Sequence, residues 1–173
     1  MALQASARGD FVRVLPAQCQ PVADAAPLPA ELEPYRAAVR ACPLARAPQP
    51  ARVRLLSVFT DDFYKGLPAD ARWQNFPLPV LVDASGRCIG RLPHLFPVDP
   101  PQELTVHAGQ WRNGIPHELR LHVLSPAVGG NHPLPSLRWQ APTQSYHANA
   151  PAASPNTPHT LPGDPSKDKT PCP

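Results

Sequence analysis

Imidazoles and carboxylates crowded into one short stretch are the first residues here that could do chemistry. His107, His117, Glu118, Arg120 and His122 lie close together in the chain. Two imidazoles and a carboxylate on one surface can hold a metal ion. Such a site requires His107, Glu118 and His122 to share a face. The plainer reading of that face is a set of polar side chains turned to water, because no further ligand is evident. His117 falls on the opposite parity of its strand. No metal and no cofactor is assigned.

Other reactive arrangements are weaker still. There is no Gly-x-Ser-x-Gly, no glycine-rich phosphate loop and no His-Glu-x-x-His. Ser85 sits between Ala84 and Gly86 as a turn residue, with no activating neighbour in sequence. Asp61 and Asp62 are adjacent, so on a helix they diverge by about 100°. They suit the positive N-terminal end of a helical turn instead. The four cysteines form no Cys-x-x-Cys pair, which removes the usual zinc spacing. Cys42 and Cys88 stand in apolar contexts and read as small buried residues. A disulfide between Cys19 and Cys42 forms only in an oxidising compartment.

Arg36, Arg40, Arg46, Arg52 and Arg54 follow one another without an acidic residue between Pro34 and Thr60. They read as a solvated face, or else as a surface for nucleic acid or other anions. A net charge of +3 is too small to argue for nucleic acid. Near the end of the chain, Pro162-Gly163-Asp164-Pro165-Ser166-Lys167 fits a Pro-x-x-Pro-x-basic ligand pattern, though a plain linker is the simpler reading.

The elements that must position these residues can be read from turns and periodicity. Asn113-Gly114 is the pair preferred by a two-residue type I′ hairpin turn. With those two as the loop, Leu104 faces Val123, Val106 faces Leu121 and Ala108 faces Leu119. The other face pairs Thr105 with His122, His107 with Arg120 and Gly109 with Glu118. Apolar residues fall on one face and polar ones on the other, and a slip of one residue would destroy the sorting. Trp111 sits beside the turn on the polar parity, either as an exposed contact residue or folded back over the sheet. Ala84-Ser85-Gly86 marks a second hairpin between residues 79–84 and 87–92. Residues 52–59 read as a strand, 60–66 as a helical turn, and 137–139 as a last short strand. Residues 10–15 can add an edge strand. Leu32, Tyr35, Val39 and Cys42 recur at helical spacing, so an amphipathic helix is expected over residues 30–42. The 27 prolines argue against long helices.

Residues 53–92 resemble thioredoxin-like proteins. The shared features are a strand, a short acidic helix, a proline, and the hairpin Val80-Leu81-Val82-Asp83-Ala84-Ser85-Gly86-Arg87. The redox Cys-x-x-Cys is missing, and no activity is carried over.

The expected fold is mainly β: a small antiparallel sheet or partly open sandwich with one amphipathic helix. Residues 1–28 are an irregular lead-in, 29–140 the globular domain, and 141–173 a disordered proline-rich tail, where apolar residues become too sparse to offset ordering entropy. The expected function is a non-catalytic binding or accessory protein. Recognition would run through a sheet face, a sheet edge or the hairpin tip, around His107, Trp111, Arg120 and His122. The expected partner is a protein, not a membrane or a nucleic acid. A small metal-dependent or hydrolytic enzyme, with residues converging only in three dimensions, is the competing class. Weak anion or nucleic-acid binding through Arg36 to Arg54 is the third. No apolar signal run is seen at the N-terminus, so a cytoplasmic location is the default expectation.

Overall fold

Short aliphatic runs cut by turn residues and prolines build strands here, not helices. The computed structural model describes residues 10–99, 102–124, 129–149 and 172. Strand β1 (Val12–Arg13) opens the larger of two antiparallel sheets. Strands β2 (Gln20–Pro21), β3 (Val39–Leu44), β4 (Val53–Val58), β5 (Val80–Asp83) and β6 (Cys88–Arg91) form the smaller one in simple sequence order. The chain then returns to the larger sheet with β7 (Val98–Asp99), β8 (Gln102–Arg112), β9 (Ile115–Leu124), β10 (Asn131–Gln140) and β11 (Ser145–Ala148). Its order is β1-β8-β9-β10-β11, with β7 also paired to β8.

The two sheets pack face to face. Cys42, Leu44, Leu55, Leu81 and Ile89 from the smaller sheet meet Leu104, Val106, Leu119, Leu121 and Leu137 from the larger. All are buried, and each such aliphatic side chain contributes about 1.5–3 kcal/mol on leaving water. A second core covers the other side of the smaller sheet. There Val39, Leu56, Val58, Val80 and Val82 are packed by Leu32, Tyr35, Phe63, Tyr64 and Phe76. At one side the sheets converge: a Cβ on Gly90 would stand 3.0 Å from both Leu81 Cδ1 and Tyr146 Cβ, so any larger residue would make its neighbours give by a few tenths of an ångström.

The Asn113-Gly114 hairpin has the register read from the sequence, pair for pair, from Leu104 opposite Val123 to Gly109 opposite Glu118. Asn113 and Gly114 take φ of 51° and 75°, as a type I′ turn requires. The hairpin of β5 and β6 also forms. Its turn is tied by the Asp83 carboxylate, which accepts from the backbone N–H and hydroxyl of Ser85 and from the Arg87 N–H. Those hydrogen bonds outweigh partial burial and hold the Asp83 carboxyl below its ordinary pKa. The acidic turn is helix α1 (Thr60–Tyr64), and Gly66 closes it at φ 84°. Thr60 lies inside that helix and makes no capping hydrogen bond.

Four expectations are corrected. The helix over 30–42 is a 3-10 helix only at Glu33–Ala38, after which the chain becomes strand β3. Val39 and Cys42 are buried in different cores on opposite faces of that strand. The ordered fold runs past Gln140: β11 pairs with β10 through Trp139 opposite Tyr146. Tyr146 is buried and its hydroxyl donates to the Pro116 carbonyl at 2.7 Å; burial pushes its pKa well above the ordinary phenol value. The lead-in before residue 29 supplies the edge strand expected within residues 10–15, as β1, and beyond that expectation β2 and the buried Val14 and Cys19. Strand β10 is also longer than the three residues expected, reaching back to Asn131 with a bulge between Leu134 and Leu137. The elements of the thioredoxin-like stretch are present, but they lie in a sheet that is antiparallel throughout.

Cys19 and Cys42 are paired as a disulfide, as are Cys88 and Cys172, with Cα atoms 4.1 and 5.3 Å apart. Among the described residues, no helix is long and apolar enough to cross a membrane.

Candidate binding face

The polar side of the β8–β9 hairpin is the outer face of the larger sheet. His107 stands opposite Arg120, Thr105 opposite His122 and Gly109 opposite Glu118. Strand β1 widens this face: Arg13 stands opposite His107 and Val12 opposite Ala108. Strand alternation puts Phe11 over Gly109, where any Cβ would fall 2.5 Å from the Phe11 ring. The Arg120 guanidinium carbon lies over that ring, 3.8 Å from its centroid. Such a cation–π contact contributes about 0.5–1 kcal/mol at an exposed site and holds the guanidinium against the ring.

The histidines lie edge to face with ring centroids 6.3 Å apart. His107 has its pKa lowered, first by partial burial and then by Arg13, His122 and Arg120. His122 Nδ1 is buried without a hydrogen-bond partner. Glu118 is nearly covered; it accepts from Gln110 Nε2 at 2.6 Å and from Arg120 Nε at 3.3 Å. Arg13 pairs with Glu103 at 3.0 Å in an exposed position. Among the described residues, no three His, Cys, Asp or Glu side chains converge as a metal site.

Of the residues singled out in the sequence, His107, Arg120 and His122 come together. Trp111 does not join them. Gln110 takes φ 56°, which interrupts strand alternation. Trp111 packs against the shared core instead, and its indole N–H donates to the Asp10 carbonyl at 3.1 Å. His117 lies near the Trp139 ring at 6.4 Å; burial, and then Arg112, lowers its pKa. Phe11 and Arg13 were missed as parts of this face. Gly109, alone in the middle of a long strand, was the signal that another backbone or ring comes close.

The arginine run serves the fold. Arg36 binds Glu33 and the carbonyls of Ala23 and Ala26. Arg40 holds Asp62 by two hydrogen bonds and covers Phe59. Arg46 pairs with Asp10, and Arg52 donates to the Asn113 carbonyl. Ser145 hydrogen-bonds His147 Nε2 at 2.8 Å and Thr143 Oγ1 at 2.7 Å. They are next-but-one neighbours on β11. Among the described residues no carboxylate orients His147, so the pair lacks the third group that activates a serine. The Pro-x-x-Pro stretch at Pro162 lies outside the described residues.

Comparison of the chain with protein-family models, with curated proteins and with solved structures finds no match.

Proposed function

We propose that this is a non-catalytic binding or accessory protein that engages a protein partner through the outer face of its larger sheet. His107, Arg120 and His122 form the centre of that face, and Phe11 and Arg13 extend it. The observation that carries the reading is an asymmetry between the sheets. The outer face of the smaller sheet is covered by aromatic side chains and helical segments. The larger sheet's polar face carries Phe11 over Gly109 and buries Thr105 and Glu118, but it leaves His107 and His122 half-buried and Arg120 exposed. Polar side chains there are arranged by strand register, so a partner meets a preformed surface and orders little on binding.

The test is a paired capture from native extract with the full chain and a His107→Ala, Arg120→Ala, His122→Ala variant. The expected result is loss of the partner by the variant, with its unfolding midpoint close to that of the parent. An unchanged complex overturns this version.

The cysteine pairs support a working place in an oxidising compartment, where such bonds persist. Thiol alkylation without reductant should then find Cys19, Cys42, Cys88 and Cys172 protected in protein isolated from its source. Full alkylation of the folded chain contradicts this.

A further inference from the structure

We infer that the group this face recognises is anionic, a carboxylate-rich segment of a protein partner seated across Arg13, His107 and Arg120. The inference rests on the binding-face reading and names its ligand chemistry. Arg13 opposes His107, and His107 opposes Arg120, so three basic side chains stand side by side on neighbouring strands. Once His107 is protonated these are directly opposed like charges, which destabilise a sheet. The nearby carboxylates sit at the two ends of the row, Glu103 on Arg13 and Glu118 on Arg120. Among the described residues, no carboxylate is hydrogen-bonded to His107, at the centre.

Several features prepare the row for an anion. Arg120 is held against the Phe11 ring, which lessens the entropy lost when its fork binds a carboxylate. Its terminal nitrogens make no hydrogen bond among the described residues. The Arg13–Glu103 pair is exposed; such pairs contribute about 0–1 kcal/mol, so an incoming carboxylate can displace it. Beside the row, His122 Nδ1 is buried without a hydrogen-bond partner.

The charged and titratable groups facing this site are Arg13 from β1, Glu103 and His107 from β8, and Glu118, Arg120 and His122 from β9. Pro133 of β10 stands opposite His122, but Arg138 of β10 stands opposite Glu118, and His147 of β11 lies beyond it opposite Arg138. Acidification adds positive charge to His107, so anion binding strengthens as pH falls. By linkage a bound anion raises the pH at which His107 titrates.

The test follows the histidine side-chain NMR signals of the full chain during titration with a hexaglutamate peptide, and separately with inorganic sulfate, at pH 7.5 and 5.5. The expected result is that hexaglutamate moves the His107 and His122 signals. It should raise the His107 midpoint by about one pH unit, equivalent to about tenfold tighter binding to the protonated form. Arg120→Gln should weaken hexaglutamate about tenfold, the loss expected for one charge-assisted hydrogen bond, and Arg120→Lys should restore part of it. His132→Gln, on exposed β10 outside the row, should bind like the parent. Unmoved histidine signals at both pH values overturn the proposal, as does equal weakening by His132→Gln. Sulfate binding as tightly as hexaglutamate overturns the acidic segment as ligand. Failure with hexaglutamate, alongside partner loss in the triple variant, leaves the binding face standing and removes only its anionic ligand.

Discussion

On the smaller sheet, the outward side chains Val39, Leu56, Val58, Val80 and Val82 are roofed by rings. On the larger sheet, the outward positions of the central hairpin carry Thr105, His107, Glu118, Arg120 and His122. The roof is a connected aromatic cluster: Phe76 meets Phe63 at 5.0 Å, Trp73 at 5.5 Å and Tyr35 at 5.6 Å between ring centroids. Each such pair adds about 0.5–1.5 kcal/mol beyond its buried area. The polar face instead holds opposed basic groups that cost stability. One sandwich thus contains a face that supplies folding energy and a face that spends some of it, which is the pattern expected where a surface serves something other than the fold.

Several substitutions would break or sharpen that contrast. Phe76→Ala should have the largest effect, about 3–5 kcal/mol of stability lost, measured by denaturant unfolding. His107→Ala and Arg120→Ala should each stay within about 1 kcal/mol in the same assay. Equal losses on both faces would end the distinction. Removing the Cys19–Cys42 link, which spans 23 residues, with a double alanine change should cost about 2–4 kcal/mol. Reductant should then destabilise the parent more than the variant. Tyr146→Phe should cost about 1 kcal/mol by deleting one buried hydrogen bond, visible as a small drop in Tm.

The smallest effect is a pH slope. His107 has a lowered pKa in the folded chain, so the unfolded chain binds more protons just below the ordinary histidine pKa of about 6.5. Its contribution is therefore fully present above that pH and is lost as pH falls through the folded value. His107→Asn should flatten part of the stability decline between pH 7 and 5. A variant with the parent's slope would show that His107 does not contribute.

How much of this was legible follows from which faces are buried. The β8–β9 register was readable because one side of that hairpin is apolar and the other polar, leaving a clean alternation from Leu104 to Gly109. Strand β3 hid its identity for the opposite reason. It is buried on both sides, so Val39 and Cys42 can both be apolar without sharing a face, and their spacing imitates a helix. Tyr146 was invisible as core because one aromatic among polar neighbours carries no periodicity; only its partner Trp139 and the close approach of Gly90 explain it. The site was half legible. His107, Arg120 and His122 came from register, whereas Arg13 and Phe11 depended on a strand pairing between residues distant in the chain. Trp111 was lost to a single left-handed residue, Gln110, which parity cannot foresee.

Strand β10 extends to Asn131, while β11 pairs with it only from Leu137 onward. Among the described residues, the length of β10 not paired with β11 contains Pro133 and Pro135. Neither can donate a backbone hydrogen bond, so a strand from another copy would find acceptors there without matching donors at both positions. This stretch of sheet margin therefore discourages the edge-to-edge stacking from which β-rich proteins form fibrils.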